Sequence, residues 1–316
     1  MTADVLVVGG GISGLACARR CDEAGLLVQV LDRGRRLGGR LAARTRHDHP
    51  IDLGAPYCTA TDERFRAVVN GWVGRGLLRP WTDTFRTAGP GGLGGHRQGP
   101  MRYAAPRGMR SLVDDLAVGI DAVERDVRTV GPGRLVDGGL EAAHAVVLAM
   151  PGPQAVRLLQ AEHLELVATA QQSYSPGITV VAPVAERTWP DFDGAFVSGL
   201  PIRWLADDGA SRGDGAPVLV AHTTPELAAA HLDDPAAAIA PALDAMRQVL
   251  GVGLDAPDAF AHRWTYAQPS EPRDATFALS PTGIGLCGDG WSARSKVEAA
   301  WLSGDDLGAA IVERLR

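Results

Sequence analysis

The 316-residue chain has little lysine, few cysteines, few aromatic side chains and no long apolar run. Each shortage excludes something. Its 31 Lys and Arg residues stand against 37 Asp and Glu, a formal net charge of −6, and Lys296 is the one lysine. A nucleic-acid or anionic-membrane surface needs a basic excess that is missing here, so neither is expected as a partner. The four cysteines, Cys17, Cys21, Cys58 and Cys287, form no CxxC pair. That argues against a disulfide scaffold and points to a reducing cytoplasm. Cys17 and Cys21 lie four apart on an expected helix, and without two further good ligands they read as small buried hydrophobes. His47-Asp48-His49 also lacks further ligands and reads as a solvated loop, so no metal is expected. No apolar stretch reaches the roughly 18 residues of a membrane span. Nor is a signal peptide expected, because the first apolar run begins at Val5 and passes straight into glycines.

What is present suffices for a core: 46% of residues are apolar and 22% charged. The length fits one large or two modest domains. Val5–Val8 reads as a strand buried on both faces. Glycines follow it, then a helix over 13–24 with Gly25 at its C-terminal end, and a second strand over 26–31 that ends at Asp32. Residues 40–52 suggest a hairpin, and 63–75 and 109–118 have helical spacing. Residues 87–100, rich in glycine, proline and polar side chains, read as a mobile loop. A strand over 145–149 is halted by Pro151 and Pro153, and a helix follows over 154–167.

Between 178 and 266 the texture changes to short β-rich runs (178–182, 218–222, 261–266) around one helix near 235–250. Then 283–287 returns as a buried strand and 297–315 as a closing helix. The expected fold is therefore α/β with an α+β insertion. A discontinuous Rossmann-type domain (1–57, 101–167 and 276–316) is joined to a second domain with an antiparallel sheet (58–100 and 168–275). The acidic pairs Asp207-Asp208, Asp233-Asp234 and Asp305-Asp306 read as solvated turns or helix surface.

Gly9-Gly10-Gly11-Ile12-Ser13-Gly14 fits G-x-G-x-x-G, but so does Gly283-Ile284-Gly285-Leu286-Cys287-Gly288. Only the first has strand, glycines, helix, strand and acid in order. Gly9 would permit the tight turn, Gly11 the approach of a pyrophosphate, and Gly14 close packing of helix on strand. The helix N-terminus offers N–H groups and partial positive charge to phosphates. Asp32, 18 residues past Gly14, is placed to accept from a ribose hydroxyl.

The residues after Asp32 point to the dinucleotide. Gly38-Gly39-Arg40 completes a D-x5-G-G-R pattern that resembles the second signature of glutathione-reductase-type flavoproteins in their amine-oxidase branch. Gly288-Asp289 near the C-terminus resembles that superfamily's ribityl-binding aspartate, which precedes a helix aimed at the flavin. The resemblance implies non-covalent FAD, held by Gly9, Gly11, Ile12, Ser13, Gly14, Asp32, Arg33, Gly39, Arg40, Gly54, Ala55, Val127, Gly288, Asp289, Lys296 and Val297. Cys287 beside Gly288-Asp289 reads as a buried strand cysteine rather than a covalent flavin link.

Four further stretches are similar to the bacterial renalase family: Asp52-Leu53-Gly54-Ala55-Pro56-Tyr57, Pro106-Arg107-Gly108-Met109, His262-Arg263-Trp264-Thr265-Tyr266-Ala267, and Val297-Glu298-Ala299-Ala300-Trp301-Leu302-Ser303-Gly304. That resemblance implies an FAD oxidase that takes hydride from 2- or 6-dihydro isomers of NAD(P)H and passes the electrons to dioxygen, giving hydrogen peroxide. Such chemistry needs orientation and a dry aromatic pocket more than acid–base help. Trp204, His262, Trp264, Tyr266 and Trp291 are the candidates for the flavin face, with ordinary core packing as the competing reading for each aromatic. His262 reads more readily as a satisfied strand histidine. Two departures touch the substrate half. Asp207 to Gly213 stand where the family carries a Ser-Lys-Pro-Gly-Arg-like stretch, and Cys58 follows Tyr57 where an aromatic is expected. An FAD amine oxidase or dehydrogenase of a small molecule is the alternative, and a non-catalytic flavin-fold binding protein the third reading.

Overall fold

The computed structural model describes residues 3–46, 48–131, 134–139, 141–159, 163–271 and 273–316. His47 lies outside them, as do residues 160–162 between the helices Gly152–Leu158 and Leu164–Ala170, which occupy the span expected as one helix. The chain divides into two compact units. The first contains residues 1–41, 110–173 and 269–316, and the second 42–109 and 174–268. The divisions expected at 57/58 and 100/101 therefore fall at 41/42 and 109/110. The hairpin of Ala43–Arg46 with His49–Asp52 belongs to the second unit, where Asp52 Oδ1 accepts from the Met109 amide at 2.8 Å.

The first unit is built on a six-stranded sheet in the order Ala278–Leu279, Ile284–Cys287, Ala145–Ala149, Val5–Val8, Val28–Asp32, Asp121–Glu124. All neighbours are parallel except the two-residue edge strand Ala278–Leu279. Val5–Val8 is buried throughout, as a central parallel strand must be. The first helix, Ile12–Glu23, packs along the last, Val297–Leu315. Glycine makes that contact possible: a Cβ on Gly304 would overlap the Ser13 carbonyl oxygen, and one on Gly308 would stand 3.0 Å from the Cys17 carbonyl oxygen. Val-Glu-Ala-Ala-Trp-Leu-Ser-Gly is thus a helix that carries its contact glycine in its third turn. Cys17, Cys21 and Cys287 are buried and free, and burial pushes the Cys287 thiol up to about 12.

The second unit is built on a seven-stranded sheet in the order Phe260–Pro269, Tyr174–Pro183, Val218–Thr223, Ile202–Asp207, Gly194–Val197, Arg79–Gly89, Gly92–Ala104. Tyr174–Pro183 with Val218–Thr223, Val218–Thr223 with Ile202–Asp207, Ile202–Asp207 with Gly194–Val197, and Arg79–Gly89 with Gly92–Ala104 pair antiparallel, while Gly194–Val197 pairs with Arg79–Gly89 in parallel. Residues 87–100, expected as a mobile loop, lie mostly in the long hairpin formed by the last two strands. Gly92–Ala104 is the edge strand and is exposed from Gly94 to Met101, so its glycines and Pro100 need no core partners; near its end Tyr103 bridges Cys58 on the outer side. Asp207 and Asp208, expected as a solvated turn, are buried. Asp207 caps the short helix Asp208–Arg212 through the Ala210 amide (3.0 Å) and accepts from Trp189 Nε1 (2.8 Å) and Arg187 Nε (2.8 Å). Asp208 is ion-paired with Arg212. Burial raises the Asp208 carboxyl to about 6, with Arg212 opposing.

Gly304→Leu should force the first and last helices apart and lower the unfolding free energy by at least about 3 kcal/mol, read from the midpoint of a urea transition. The same substitution at the exposed Gly74, where an added Cβ meets open space, should cost little beyond local helix propensity.

Candidate functional site

In the first unit the sequence folds two glycine segments onto each other. Gly9 has φ +112° and would drive a Cβ into the Ala149 carbonyl oxygen; a Cβ on Gly14 would overlap the Gly9 carbonyl oxygen. These contacts hold the first turn of the helix against the strand ends. Gly11 is the N-cap and offers no side-chain acceptor, so the first-turn N–H groups are left for something else. A Cβ built on Gly11 meets only the Gly39 Cα, at 4.0 Å. Gly38 donates its amide to the Gly10 carbonyl oxygen (2.9 Å) and bridges to Gly11, while Gly39 takes φ +52°. The result is a surface made almost wholly of backbone beside a positive helix end. That is what a pyrophosphate requires.

Asp32 stands at the end of its strand, oriented by two amides: Gly10 N–H donates to Oδ2 (2.6 Å) and Gly34 N–H to Oδ1 (2.8 Å). Both oxygens keep acceptor capacity for a hydroxyl. Arg33 beside it is exposed. Arg40 and Asp289, expected to touch the cofactor separately, form a bidentate ion pair (Nη1 to Oδ2 2.9 Å), and Asp289 also accepts from Ser295 Oγ. Sequence spacing could not show this pairing across 249 residues. Gly288, at φ +147°, donates its amide to the buried Ser303 Oγ (2.9 Å), tying this turn to the last helix. That helix starts at Val297 with Lys296 as an N-cap that makes no side-chain cap. The second glycine match is the buried strand Ile284–Cys287 itself, where a Cβ on Gly285 would press on Leu307. Val127 is buried in the core three residues past the strand Asp121–Glu124. Trp291 is in that same core, with the Arg273 guanidinium 4.2 Å above its ring. Trp291 thus belongs to the first unit.

The other four catalytic candidates lie in the second unit. His262, Trp264 and Tyr266 alternate with the exposed Arg263 and Thr265 along one strand and so share a face. Trp264 Nε1 donates to the Leu53 carbonyl oxygen and to Thr179 Oγ1, both at 3.0 Å, and Thr179 Oγ1 donates to the same carbonyl at 2.6 Å. Thr179 opposes His222, His222 opposes Trp204, and Trp204 opposes Phe196. Directly opposed side chains share a face, so these four form one row across the sheet that continues from Trp264. Gly54, expected at the cofactor, hydrogen-bonds His222 through its backbone, and Ala55 follows it in this unit.

His222, Thr179 and Arg203, whose Nη1 donates to Gln268 Oε1 at 2.7 Å, were not among the expected residues. The Val218–Thr223 strand is buried on both faces, so no alternation marks His222. Burial, with Arg203 nearby, pushes the His222 imidazole down to about 3, and burial with Arg44 lowers that of His262. Beyond Trp204 the row runs into a cluster of Tyr57, Trp81, Phe85 and Phe196, with centroids 4.6–6.1 Å apart in the contacting pairs. Among the described residues no group of three or more His, Cys, Asp or Glu is arranged to hold a metal ion. No helix among them is long and apolar enough to cross a membrane.

A family model described as an NAD(P)-binding Rossmann-like domain matches residues 7–72. The chain is 44% identical over 63 residues to amine oxidase [flavin-containing] B of Mus musculus, covering 20% of this chain and 12% of that protein. It is 40% identical over 80 residues to polyamine oxidase 4 of Oryza sativa subsp. japonica, covering 25% and 16%. The likeness thus spans less than a fifth of these curated relatives. Over the full length the fold is similar to cyclohexylamine oxidase from Brevibacterium oxydans IH-35A (TM-score 0.77, 15% identity, 100% of both chains). It is similar also to wild-type putrescine oxidase bound to putrescine (TM-score 0.74, 16% identity, 99% of this chain and 100% of that one). At these identities the likeness is one of fold.

Arg40→Leu would strand the buried Asp289 carboxylate and should cost about 3 kcal/mol in chemical denaturation, with Arg40→Leu/Asp289→Asn recovering part of it. The depressed His222 pKa has a definite sign. The unfolded imidazole takes a proton below about pH 6.5 while the folded one stays neutral to about pH 3, so stability falls as pH drops through this window. His222→Gln should flatten the fall in unfolding free energy between those limits, measured by denaturation at a series of pH values.

Proposed function

We propose that the chain is an FAD-dependent oxidoreductase of the renalase type, oxidising 2- or 6-dihydro isomers of NAD(P)H with dioxygen. The backbone surface of Gly9–Gly14 against Gly38–Gly39 carries the cofactor assignment. The first-turn amides of Ile12, Ser13 and Gly14 would hold the pyrophosphate, and Asp32 a ribose. Gly288 and the uncapped start of the last helix at Lys296 and Val297 would face the flavin half, with Asp289 held in place by Arg40. Bound FAD supplies hydride acceptance and reoxidation by dioxygen. Dihydronicotinamide, dioxygen and one proton give nicotinamide dinucleotide and hydrogen peroxide.

The row on the second unit supports hydride transfer over acid–base chemistry. It offers aromatic walls, burial pushes the His222 imidazole down to about 3, and burial with Arg44 lowers that of His262. Such residues exclude water and orient a planar ring rather than move protons. Cys17, Cys21 and Cys287, buried and in no disulfide, fit a reducing compartment. The second reading is an oxidase of a small amine, favoured by the names of the relatives above.

Mixing the FAD-loaded protein anaerobically with 6-dihydro-NAD should bleach the flavin absorbance at once, and admitting air should restore it with formation of hydrogen peroxide. Bleaching by amines while both nicotinamide isomers are inert would favour the second reading and overturn the first.

A further inference from the structure

Arg102 is 5% exposed, yet no carboxylate lies within ion-pair distance of it among the described residues, and its Nη1 has no hydrogen-bond partner. A guanidinium is almost never buried this far without a counter-charge, because its desolvation is then uncompensated. Asp83 is the acid whose charge reaches it, but that half-buried carboxylate is bonded to Thr84 Oγ1 (2.7 Å) and Gln98 Nε2 (3.1 Å). Arg102 instead sits 3.9 Å above the Phe85 ring and beside Tyr57, whose neutral hydroxyl hydrogen-bonds the guanidinium and leaves Nη1 unpaired. The ladder shifts register between Thr82 and Thr84, opposite Arg102 and Gln98, and Gly99 in that irregularity leaves room beside the guanidinium, since a Cβ there would stand 2.9 Å from Nη2. Phe85 also touches Trp204, whose Nε1 is a second buried donor without a partner. Arg97 lies 5.7 Å over the Phe196 ring at the edge of the cluster. Tyr57, Trp81 and Phe196 are only partly buried.

A box lined by aromatics, with two orphan donors, one of them charged, and no acceptor of matching charge, asks for an anion on an apolar body. We propose that Arg102 and its aromatic box form an anion subsite that takes the carboxylate or phosphate of an aromatic or otherwise apolar substrate. The inference rests on reading the second unit as the substrate-binding part, but not on the identity of the oxidised group.

Binding measured without turnover separates the two. Benzoate, phenyl phosphate and neutral benzamide are titrated into the FAD-loaded protein, following tryptophan fluorescence, to which Trp81 and Trp204 contribute. At least one anion should bind about tenfold tighter than benzamide. Arg102→Gln should abolish that preference while leaving benzamide binding unchanged, and Arg102→Lys should restore part of it. Whichever of benzoate and phenyl phosphate binds tighter names the source of the charge. Equal affinity for all three in the unmodified protein would overturn the subsite whether or not the variants fold, and so would a preference that survives Arg102→Gln. A protein inert towards dihydronicotinamides yet selective for anions would keep the subsite and reject the oxidation.

Discussion

The first unit depends on one steric constraint: three backbones meet around the first turn of the first helix with no side chain between them. Gly14 lies on the Gly9 carbonyl, and Ser13 lies under Gly304 of the last helix. Close packing of this kind has no slack, because each backbone contact fixes the next. It places the uncapped helix start beside Gly38–Gly39 and brings Gly288-Asp289 within reach of Arg40. The chemical features of the cradle are therefore set by packing that never touches a ligand.

Charge is handled differently in the two units. In the first, the buried Asp289 is neutralised by Arg40 and oriented by Ser295. In the second, Asp207 and Asp208 are buried with arginines and backbone amides around them. Arg102 breaks the pattern, being buried with rings for neighbours. Its cost is offset in part by contact with the ring faces, which attract a weakly hydrated guanidinium.

Much of the first unit could be read from the chain because its signals are local. The Val5–Val8 run, the glycine spacing, Asp32, the 145–149 strand and the 297–315 helix each follow from periodicity or from a turn residue within a few positions. The second unit was harder for a physical reason. Gly194–Val197 and Ile202–Asp207 are short and buried on both faces, so alternation cannot mark them. The hairpin through residue 100 is rich in residues that weaken strands, and only its pairing with Arg79–Gly89 reveals it. The row of Thr179, His222 and Trp204 exists only in the register of three strands. Arg102 is one arginine among many in a chain with almost no lysine, and its burial is a tertiary fact with no sequence mark.

That hairpin has a further consequence. Its outer strand runs for 13 residues, and among the described residues its outer side meets another segment's backbone only where Tyr103 bridges Cys58. A bare ribbon of amides and carbonyls is a template on which another chain could zip. The strand guards itself with the means it has: Pro100 removes a donor, His96 and Arg97 add polarity or charge, and repeated register shifts bend the ribbon out of plane. The glycines and proline that made the segment look like a loop thus help keep a long edge from joining another copy of itself.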